Sequence, residues 1–528
     1  MHLDIADYVI VGSGINSLVA ASLLALKGKK VLILERNDVI GGCIRTDEVT
    51  VPGFHHDVMA TTFVLFLLSP AYAALAPELA KRGLEFAHPE IPTGVLRQDG
   101  SSLTLSRDRA ANIAAFEKLA VGDGKQYATD MNKLGADAPF LFQLLGGKLW
   151  SLAMAKTVLR EAWKRGPRVL SSFFGEALIS ARHWLQPHYK SELFHALMAP
   201  WVLHAGLGPE STYSGQMAKV IAFALEAAGA PIVKGGAGNI LKAFEQLIRD
   251  HGGEIRTGTD VSEVIVDRSG RATGVGLASG EKITAAQGVI CAMTPAQLYG
   301  RLLKNHQPAE TLRQEIKAFV HGKGNMQIHY ALKSPPKWKN PELASVALLH
   351  LTSGLDAVSK AVNEAERGML PAEPTICVGQ PTAFDSSRAP EGKAILWLQL
   401  PEVPRHMKGD AAGEIKAPKD GQWSEGLRET YADRIEAILA KHIDGFKTLI
   451  IKRRCYSPAD LEAMNINLVG GDPYGGSCSL DQFFLWRPLR STTNHETCVK
   501  RLYHIGASTH PGPGLGGGSG FLLAGALN

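Results

Sequence analysis

The order of hydrophobic and polar positions near the start of the chain predicts a strand, a helix and a second strand. Tyr8-Val-Ile-Val11 is an apolar run with the length of a buried strand. A glycine turn follows, and the apolar stretch that begins at Ile15 predicts a helix. A second apolar run, Lys30-Val-Leu-Ile-Leu34, ends in Glu35. This order indicates an α/β fold with parallel strands.

The glycine turn between the first strand and the helix predicts a dinucleotide site. Glycine lets the backbone approach a pyrophosphate, which then lies on the positive end of the following helix. Glu35 is placed to accept hydrogen bonds from the adenosine ribose hydroxyls and disfavours the 2′-phosphate of NADP. Ser17 replaces the third glycine of the pattern and crowds the helix against the strand. The predicted binding residues here are Gly12, Ser13, Gly14, Ile15, Asn16 and Glu35.

The segment after Glu35 favours a flavin over a nicotinamide dinucleotide. It reads Glu35-Arg-Asn-Asp-Val-Ile-Gly-Gly-Cys-Ile-Arg-Thr46, and Gly53-Phe-His-His-Asp57 follows. The glycine pair lets a second loop lie against the cofactor, and Arg45 can place a cation beside the pyrophosphate. A surface ion pair is the alternative role for Arg45. The predicted binding residues here are Arg36, Gly41, Gly42, Arg45 and Thr46.

A second glycine-rich segment, residues 506–520, lies near the end of the printed sequence. It follows a strand-like run, Leu502-Tyr-His-Ile505. A helix is predicted to begin near Gly516. Amides at a helix start bind negative charge, and a reduced flavin carries negative charge around N1 and O2. We therefore expect both glycine strings to meet around one isoalloxazine cofactor. The predicted binding residues of the second string are Gly506, Ala507, Gly514, Leu515 and Gly516.

These motifs resemble those of the FAD-dependent amine-oxidase superfamily, and most closely its phytoene desaturase-like branch. The likeness is carried by GGCIRT…GFHHD, by Gly506-Ala-Ser-Thr-His-Pro511, and by the stretches 467–472 and 479–488. It implies a Rossmann-like, glutathione reductase-like FAD domain that is discontinuous in sequence. It also implies that Val261 contacts adenine through its backbone. Ser17 and the short segment after Gly516 depart from the family pattern.

The resemblance and the strand pattern together predict two domains. The FAD-binding domain comprises residues 1–65, 232–295 and 496–528. A mixed α+β substrate domain comprises residues 66–231 and 296–495. Its first block is predicted to be mainly helical, whereas its second block contains strand-like runs at 326–332, 344–351 and 394–400. These runs are expected to form a sheet that covers the flavin ring.

The composition of the chain limits the classes of binding partner and the cellular compartment that we expect. The chain of 528 residues is 45% hydrophobic, which excludes a disordered protein. Its net charge of +5 is not gathered into basic blocks interleaved with aromatic residues, so no nucleic-acid partner is expected. The six cysteines include no CxxC pair, so we expect a reducing, cytoplasmic setting, and no metal site is predicted.

Two segments bear on membranes. The uncharged stretch Val58–Pro77 has about the length of a span but contains prolines and polar residues, which favours a buried or cleft-lining segment. Residues 139–190 contain eight Lys or Arg residues against Glu161 and Glu176, among many apolar positions. Such a helical region can lie on an anionic membrane surface, where the enzyme could take up a lipid-like substrate. Solvated surface helices are the alternative.

The predicted activity is FAD-dependent removal of hydride from a C–H bond, by dehydrogenation or desaturation of a largely apolar small molecule. Three alternatives stay open: a flavin amine oxidase that produces hydrogen peroxide, a reduced-flavin hydratase or isomerase, and a flavin-less escort protein that binds prenyl groups. The predicted catalytic residues are His510, His56 and Trp486, although each histidine could instead be structural. His55, Asp57 and Arg487 are also expected near the ring.

Overall fold

The computed structural model describes residues 5–306 and 308–527. Its strands and helices include a run of α-helices over residues 109–228. The strands are β1 (Ile5–Val11), β2 (Val31–Leu34), β3 (Thr46–Asp47), β4 (His56–Asp57), β5 (Phe86–Ala87), β6 (Ile91–Leu96), β7 (Ser102–Leu105), β8 (Ile232–Val233), β9 (Glu254–Arg256), β10 (Val261–Val266), β11 (Ala272–Leu277), β12 (Lys282–Ala292), β13 (Met326–Leu332), β14 (Val346–Leu351), β15 (Met369–Leu370), β16 (Ile376–Gly379), β17 (Ala394–Leu400), β18 (Gly409–Asp410), β19 (Ile450–Tyr456) and β20 (Leu502–Ile505). The α-helices are α1 (Ile15–Leu26), α2 (Val64–Leu67), α3 (Pro70–Ala80), α4 (Arg109–Leu119), α5 (Asp123–Gly146), α6 (Leu152–Arg165), α7 (Pro167–Ala177), α8 (Ala181–His188), α9 (Glu192–Met198), α10 (Ser214–Ala228), α11 (Gly238–Asp250), α12 (Glu310–Ala318), α13 (Leu355–Glu366), α14 (Glu425–Leu439), α15 (Phe446–Leu449), α16 (Pro458–Met464) and α17 (Gly518–Ala526).

The first sheet unites strands from distant parts of the chain. Its order is β10-β11-β12-β1-β2-β9, and β20 pairs with the part of β12 that also adjoins β1. Strands β20, β12, β1, β2 and β9 are parallel, as the strand–helix–strand pattern predicts. Ile10 and Ile33 pack beneath α1 and α11 in one apolar core. The predicted Rossmann-like α/β fold is therefore confirmed.

The second sheet has the order β19-β13-β17-β16-β14-β6-β7. One face packs against α14, where Tyr431 and Ile435 join the apolar core of the sheet. The other face reaches the segment 56–59, because the indole nitrogen of Trp397 donates to the carbonyl of Met59 at 3.0 Å. The runs predicted at 326–332 and 394–400 coincide with β13 and β17. The predicted runs therefore do form one sheet, and its position over the flavin stays a prediction.

The first block of the predicted substrate domain is not only helical. Residues 91–96 and 102–105 form β6 and β7, and β6 pairs in parallel with β14. Pro92 and Gly94 weaken a helix at this point, so pairing with the distant β14 determines the local structure. The helices α4, α5, α8, α9 and α10 pack around an aromatic cluster that includes Phe116, Tyr127 and Phe194. The two-domain boundaries themselves stay a prediction.

The stretch Val58–Pro77 forms the loop after β4, α2 and most of α3. Phe63 and Phe66 are fully buried, whereas Leu65 and Leu68 are exposed. Among residues 5–306 and 308–527, no helix has both the length and the apolar character needed to cross a bilayer. The prediction of a packed segment therefore agrees with the structure here.

Candidate functional site

The start of α1 presents free backbone amides to an open space. No described side chain caps this helix, and its first turn contains no acidic residue. A Cβ atom added to Gly14 would meet no heavy atom within 4 Å, although Gly42 lies so close that its own Cβ would be 3.3 Å from the Gly14 Cα. Gly14 and Gly41 also form a parallel bridge. Two loops thus enclose a helix start that is ready to bind an anion.

The acid at the end of β2 is buried and points back toward this turn. Oε2 of Glu35 accepts hydrogen bonds from the Ser13 backbone N–H at 3.1 Å and from the Ser13 hydroxyl at 2.7 Å. The Ser13 hydroxyl oxygen accepts in turn from the N–H of Gly41 at 3.0 Å. Gly12 precedes Ser13 directly after β1. The acid, the turn and the glycine pair therefore form one hydrogen-bonded unit, as expected for a ribose-binding position.

The two distant glycine strings meet at α1 and α17. Oδ1 of Asn16 accepts a hydrogen bond from the Ser519 hydroxyl at 2.8 Å, and the N–H of Gly506 donates to the same Ser519 oxygen at 2.9 Å. A Cβ atom added to Gly520 would lie 1.9 Å from the backbone oxygen of Asn16. Only glycine permits this approach of the two helices. The convergence expected from the sequence is present in the structure.

The turn between β20 and α17 packs against α2. A Cβ atom added to Gly514 would lie 2.5 Å from Leu65 Cδ1, and one added to Gly516 would lie 3.5 Å from the Leu65 carbonyl oxygen. Leu515, between them, packs against the apolar core beneath the first sheet. The helix begins at Gly518, close to the predicted start near Gly516. Gly517, directly before it, adopts a left-handed conformation with φ of 67°.

A buried ion pair joins this region to the second sheet. The Asp57 carboxylate binds the Arg388 guanidinium, and both side chains are almost completely buried. Asp57 also accepts hydrogen bonds from the hydroxyls of Thr46 and Thr61 and from the N–H of Ala237. Sequence reasoning placed Asp57 near the flavin but missed Arg388, because nothing in the sequence pairs residues 331 positions apart. This network holds the second loop of the predicted cofactor site.

Three other residues that are predicted to contact the cofactor either bond to protein groups or face solvent. Arg45 forms an ion pair with Asp47, the kind of contact considered as its alternative role. Arg36 is exposed. The carbonyl of Val261 accepts a hydrogen bond from Arg301 Nη1 at 2.9 Å. Direct contacts of these residues with the cofactor stay predictions.

The turn at Ala507, which is predicted to face the flavin, is held by Arg487. Its Nε and Nη2 donate to the carbonyl oxygen of Ala507 at 3.0 and 2.7 Å, and Nη2 also donates to the carbonyl of Tyr474 at 2.6 Å. The guanidinium also stacks on the ring of Phe483. Arg487 therefore positions the turn through main-chain carbonyls.

Two buried histidines meet where the second sheet approaches β4. The rings of His56 and His329 pack edge to face, with centroids 5.4 Å apart. Burial, together with the nearby His329 and Arg388, lowers the pKa of His56 to about 2. Burial likewise lowers the pKa of His329 to about 4, against a hydrogen bond to the Val58 carbonyl that raises it. Both rings are neutral at physiological pH. The exposed His55 lies 3.8 Å from Glu48, on the outside of this segment.

The remaining predicted catalytic residues lie at different depths. His510 is buried, and its Nε2 lies 2.9 Å from the carbonyl oxygen of Gly147. Since a carbonyl oxygen can only accept a hydrogen bond, Nε2 of His510 is the donor. Burial lowers the pKa of His510 to about 4. Trp486 lies in the 3₁₀ turn Phe484–Trp486 and is 39% exposed. Among the described residues, no hydrogen bond or ring contact joins His510 or Trp486 to His56, and the catalytic roles of all three stay predictions.

The described residues fit an FAD molecule. An uncapped helix start, a buried acid after β2 and a glycine pair match the pyrophosphate and ribose of the nucleotide half. The start of α17 lies against α1 through Asn16 and Ser519. The N–H of Gly520 donates to Oδ1 of Asn16 at 3.4 Å, whereas no described side chain accepts from the N–H groups of Gly518 and Ser519. The donor set is thus appropriate at both ends of the cofactor.

Comparison with known proteins gives the same picture. Residues 18–425 match the family described as flavin containing amine oxidoreductase. The chain is 28% identical to the rat pyridine nucleotide-disulfide oxidoreductase domain-containing protein 2, over 97% of this chain and 92% of the relative. It is 28% identical to a zeta-carotene-forming phytoene desaturase of Myxococcus xanthus, over 96% and 90% of the two chains. It is 24% identical to a limonene dehydrogenase chain from Castellaniella defragrans, over 98% and 93%.

The fold also matches solved structures. An oxidoreductase from Methanosarcina mazei superimposes with a TM-score of 0.62 and 15% identity, over 99% of this chain and 100% of the other. At this identity the likeness supports the fold alone. The family match covers more than half of the chain, and it confirms the resemblance seen in the glycine motifs. The chain belongs to the family of flavin-containing amine oxidoreductases.

Proposed function

We propose that the protein dehydrogenates a C–H bond of a largely apolar small molecule. The chain is an FAD-dependent oxidoreductase by its family. FAD, when bound, supplies the chemistry by accepting a hydride from the substrate carbon. The protein has to hold the cofactor, position the substrate and exclude water.

The observation that carries the choice of an apolar substrate is that the face of the second sheet toward residues 56–59 has no acidic side chain in its described strands, although the edge strand β19 adds the cations Lys452 and Arg454. In β13, β14, β16 and β17, all of which the structure describes, no side chain on this face is charged. This face is composed of Gln327, His329, Ala331, Leu348, His350, Cys377, Gly379, Ile395, Trp397 and Gln399. The nearest ion pair, Asp57 with Arg388, is internally satisfied. Such a surface offers no counter-ion to an ammonium group.

The surrounding residues have positioning roles in this proposal. Gly14, Gly42 and the start of α1 hold the pyrophosphate, and Glu35 holds the ribose. Asp57 and Arg388 fix the second loop, while Arg487 fixes the turn at Ala507. His56 and His329 are neutral and buried, so they shape a dry site without acting as strong acids or bases.

The test is anaerobic reduction of the bound flavin by candidate substrates. Terpene and polyene hydrocarbons are expected to bleach the visible band of oxidised FAD, whereas primary and secondary amines are expected to leave it unchanged. Bleaching by amines with hydrogen peroxide release in air would instead favour the amine oxidase. Reoxidation with oxygen, quinone and NAD(P) in turn then identifies the electron acceptor.

We further propose that α6 and α7 bind an anionic membrane surface. Leu152, Leu159 and Trp163 are 83%, 69% and 90% exposed, and with Lys156 they recur at the spacing of one helix face. Lys148, Arg160, Lys164 and Arg168 are exposed around them. Exposed apolar residues ringed by cations favour a bilayer that carries anionic lipid.

This surface adjoins the predicted flavin-facing turn. The loop before α6 contains Gly147, which accepts the hydrogen bond of His510, and Trp150, whose indole nitrogen donates to the Leu485 carbonyl at 3.3 Å. Leu485 and Trp486 are themselves exposed beside Trp150. Not all of the basic residues between 139 and 190 are free, since Arg165 pairs with Asp137 and Glu161, and Arg182 pairs with Glu210.

Vesicle flotation tests the membrane proposal. The protein is expected to float with vesicles that contain phosphatidylglycerol and to stay behind with pure phosphatidylcholine. The double variant Lys156→Glu/Lys164→Glu should bind the anionic vesicles at least about tenfold more weakly, because each basic residue near such a surface contributes roughly 1 kcal/mol. Lys419→Glu, an exposed lysine outside α6 and α7, is the matched control. Equal flotation of both variants would contradict the proposal.

A further inference from the structure

Three side chains with metal-binding atoms meet outside the predicted flavin contacts. His350 on β14 and Cys377 on β16 are direct partners across these antiparallel strands. His204, in the 3₁₀ segment Ala199–Ala205, approaches them from the helical block. Their ligand atoms all lie within 4.8 Å of one another, and the Nε2 atoms of His204 and His350 are 2.9 Å apart.

The three groups are poorly satisfied as they stand. His350 and Cys377 are completely buried, and Nδ1 of His350 has no hydrogen-bond partner. Two neutral imidazoles can share only one hydrogen bond between their Nε2 atoms. In the part of the chain that the structure describes, no acidic side chain forms an ion pair or hydrogen bond with any of the three. Buried polar groups left in this state normally have a ligand, a water molecule or an ion as a partner.

The geometry is close to that of a metal site. A metal ion bound about 2.0 Å from two imidazole nitrogens in trigonal geometry holds them roughly 3.5 Å apart. The rings therefore need to separate by about 0.6 Å, which a small rotation of the half-buried His204 provides. The ring of Trp201 packs against both imidazoles, with centroids at 4.7 and 4.9 Å, and limits larger movements.

The charge of the site selects the ion. Imidazole and thiolate ligands suit soft or borderline transition metals. One thiolate leaves a divalent ion with a net positive charge in a site without a carboxylate, and such a buried charge is costly. One thiolate and one monovalent ion are neutral together.

We propose that His204, His350 and Cys377 bind one Cu(I) ion in a three-coordinate site. The ligands are Nε2 of each histidine and Sγ of the cysteine. Binding forms the copper–sulfur bond and releases the thiol proton of Cys377 to solvent, with no change in the oxidation state of the metal. The ion cross-links the segment Ala199–Ala205 to β14 and β16. This inference does not depend on the proposed dehydrogenation.

Competition for Cu(I) tests the site. FAD-loaded protein is mixed under nitrogen with the coloured Cu(I) complex of bathocuproine disulfonate, and loss of the complex is measured. The wild type is expected to take one Cu(I) per chain, and its unfolding temperature should rise. Cys377→Ser is expected to take none. Cys498→Ser, which removes an exposed thiol, should behave as the wild type.

A second variant protects the test from misfolding. His204→Gln changes a half-buried ligand and should weaken Cu(I) binding at least tenfold even if Cys377→Ser does not fold. X-ray absorption of the loaded protein should show copper bound by two nitrogens and one sulfur. The proposal is overturned if Cys377→Ser and His204→Gln take up Cu(I) as the wild type does. Binding of Zn²⁺ in preference to Cu(I) would overturn the charge argument.

Discussion

The buried pair of Asp57 and Arg388 provides a sharp test of how the cofactor site is held. We consider the variant Asp57→Asn, which keeps the shape of the side chain and removes its charge. The Arg388 guanidinium is completely buried and, among residues 5–306 and 308–527, would keep only Asp385, at 3.3 Å from its Nε, as an anionic partner. Removing one partner of a buried ion pair costs about 3–5 kcal/mol. Because Asp385 compensates in part, we expect Asp57→Asn to lower the free energy of unfolding by about 3 kcal/mol, the lower end of this range.

The expected consequence is weaker FAD binding. Asp57 also binds Thr46 and the N–H of Ala237, so losing the pair frees the loop that carries Gly41 and Gly42. If the loop has to be ordered again when FAD binds, about 3 kcal/mol corresponds to roughly a 100-fold increase in the FAD dissociation constant. The measurement is a titration of stripped protein with FAD, followed by quenching of flavin fluorescence.

A matched control separates stability from cofactor binding. Asp410 is equally buried and binds Arg434 through two hydrogen bonds, but this pair joins β18 to α14. Asp410→Asn should lower the unfolding temperature and leave the FAD dissociation constant unchanged. If Asp57→Asn also leaves that constant within about threefold of the wild type, the reasoning about the loop is refuted.

Three further variants address other parts of the structure. Glu35→Gln should weaken FAD binding by about 10- to 100-fold in the same titration, since hydrogen bonds to charged groups contribute roughly 1.5–3 kcal/mol; unchanged affinity would remove Glu35 from the site. Gly520→Ala should lower both the unfolding temperature and FAD content, because its Cβ would lie 1.9 Å from the Asn16 oxygen; Gly525→Ala, where a Cβ meets nothing within 4 Å, should do neither. Burial raises the pKa of Glu402 to about 8, so the carboxyl is neutral in the folded protein and its stabilisation is lost as pH rises from 4.5 to 8. Glu402→Gln should therefore unfold at a higher temperature than the wild type at pH 8 and near the same temperature at pH 4.5, and an equal difference at both values would contradict the raised pKa.

The features that the sequence predicts well are local ones. The strand before Gly12, the acid after β2 and the strand before Gly506 depend on short apolar runs and glycine turns, which determine their own conformation. The runs 326–332 and 394–400 are also predictable from the local sequence, because a strand that is buried on both faces consists of consecutive, mostly apolar residues. Such patterns were sufficient to predict the cofactor fold.

Long-range pairing explains what the sequence did not predict. Residues 91–105 joined a sheet because β14, about 250 positions later, offers an edge. Arg388 and the pair of His204 and His350 depend on contacts 331 and 146 residues apart. Trp486 lies at the surface because the cluster of Phe483 and Tyr213 fills the interior beside it. None of these outcomes follows from local propensity.

The closure of α1 by α17 has a consequence for biosynthesis. Asn16 and Ser519 are 503 residues apart, so at about 5–20 residues per second the ribosome needs roughly 25–100 s to supply the partner of a helix it has already made. During that interval the nascent chain exposes the apolar side of α1 where Gly517 later packs on Val19. Chaperones that hold unfinished chains, and the supply of free flavin at chain release, are therefore expected to control how much active enzyme a cell accumulates.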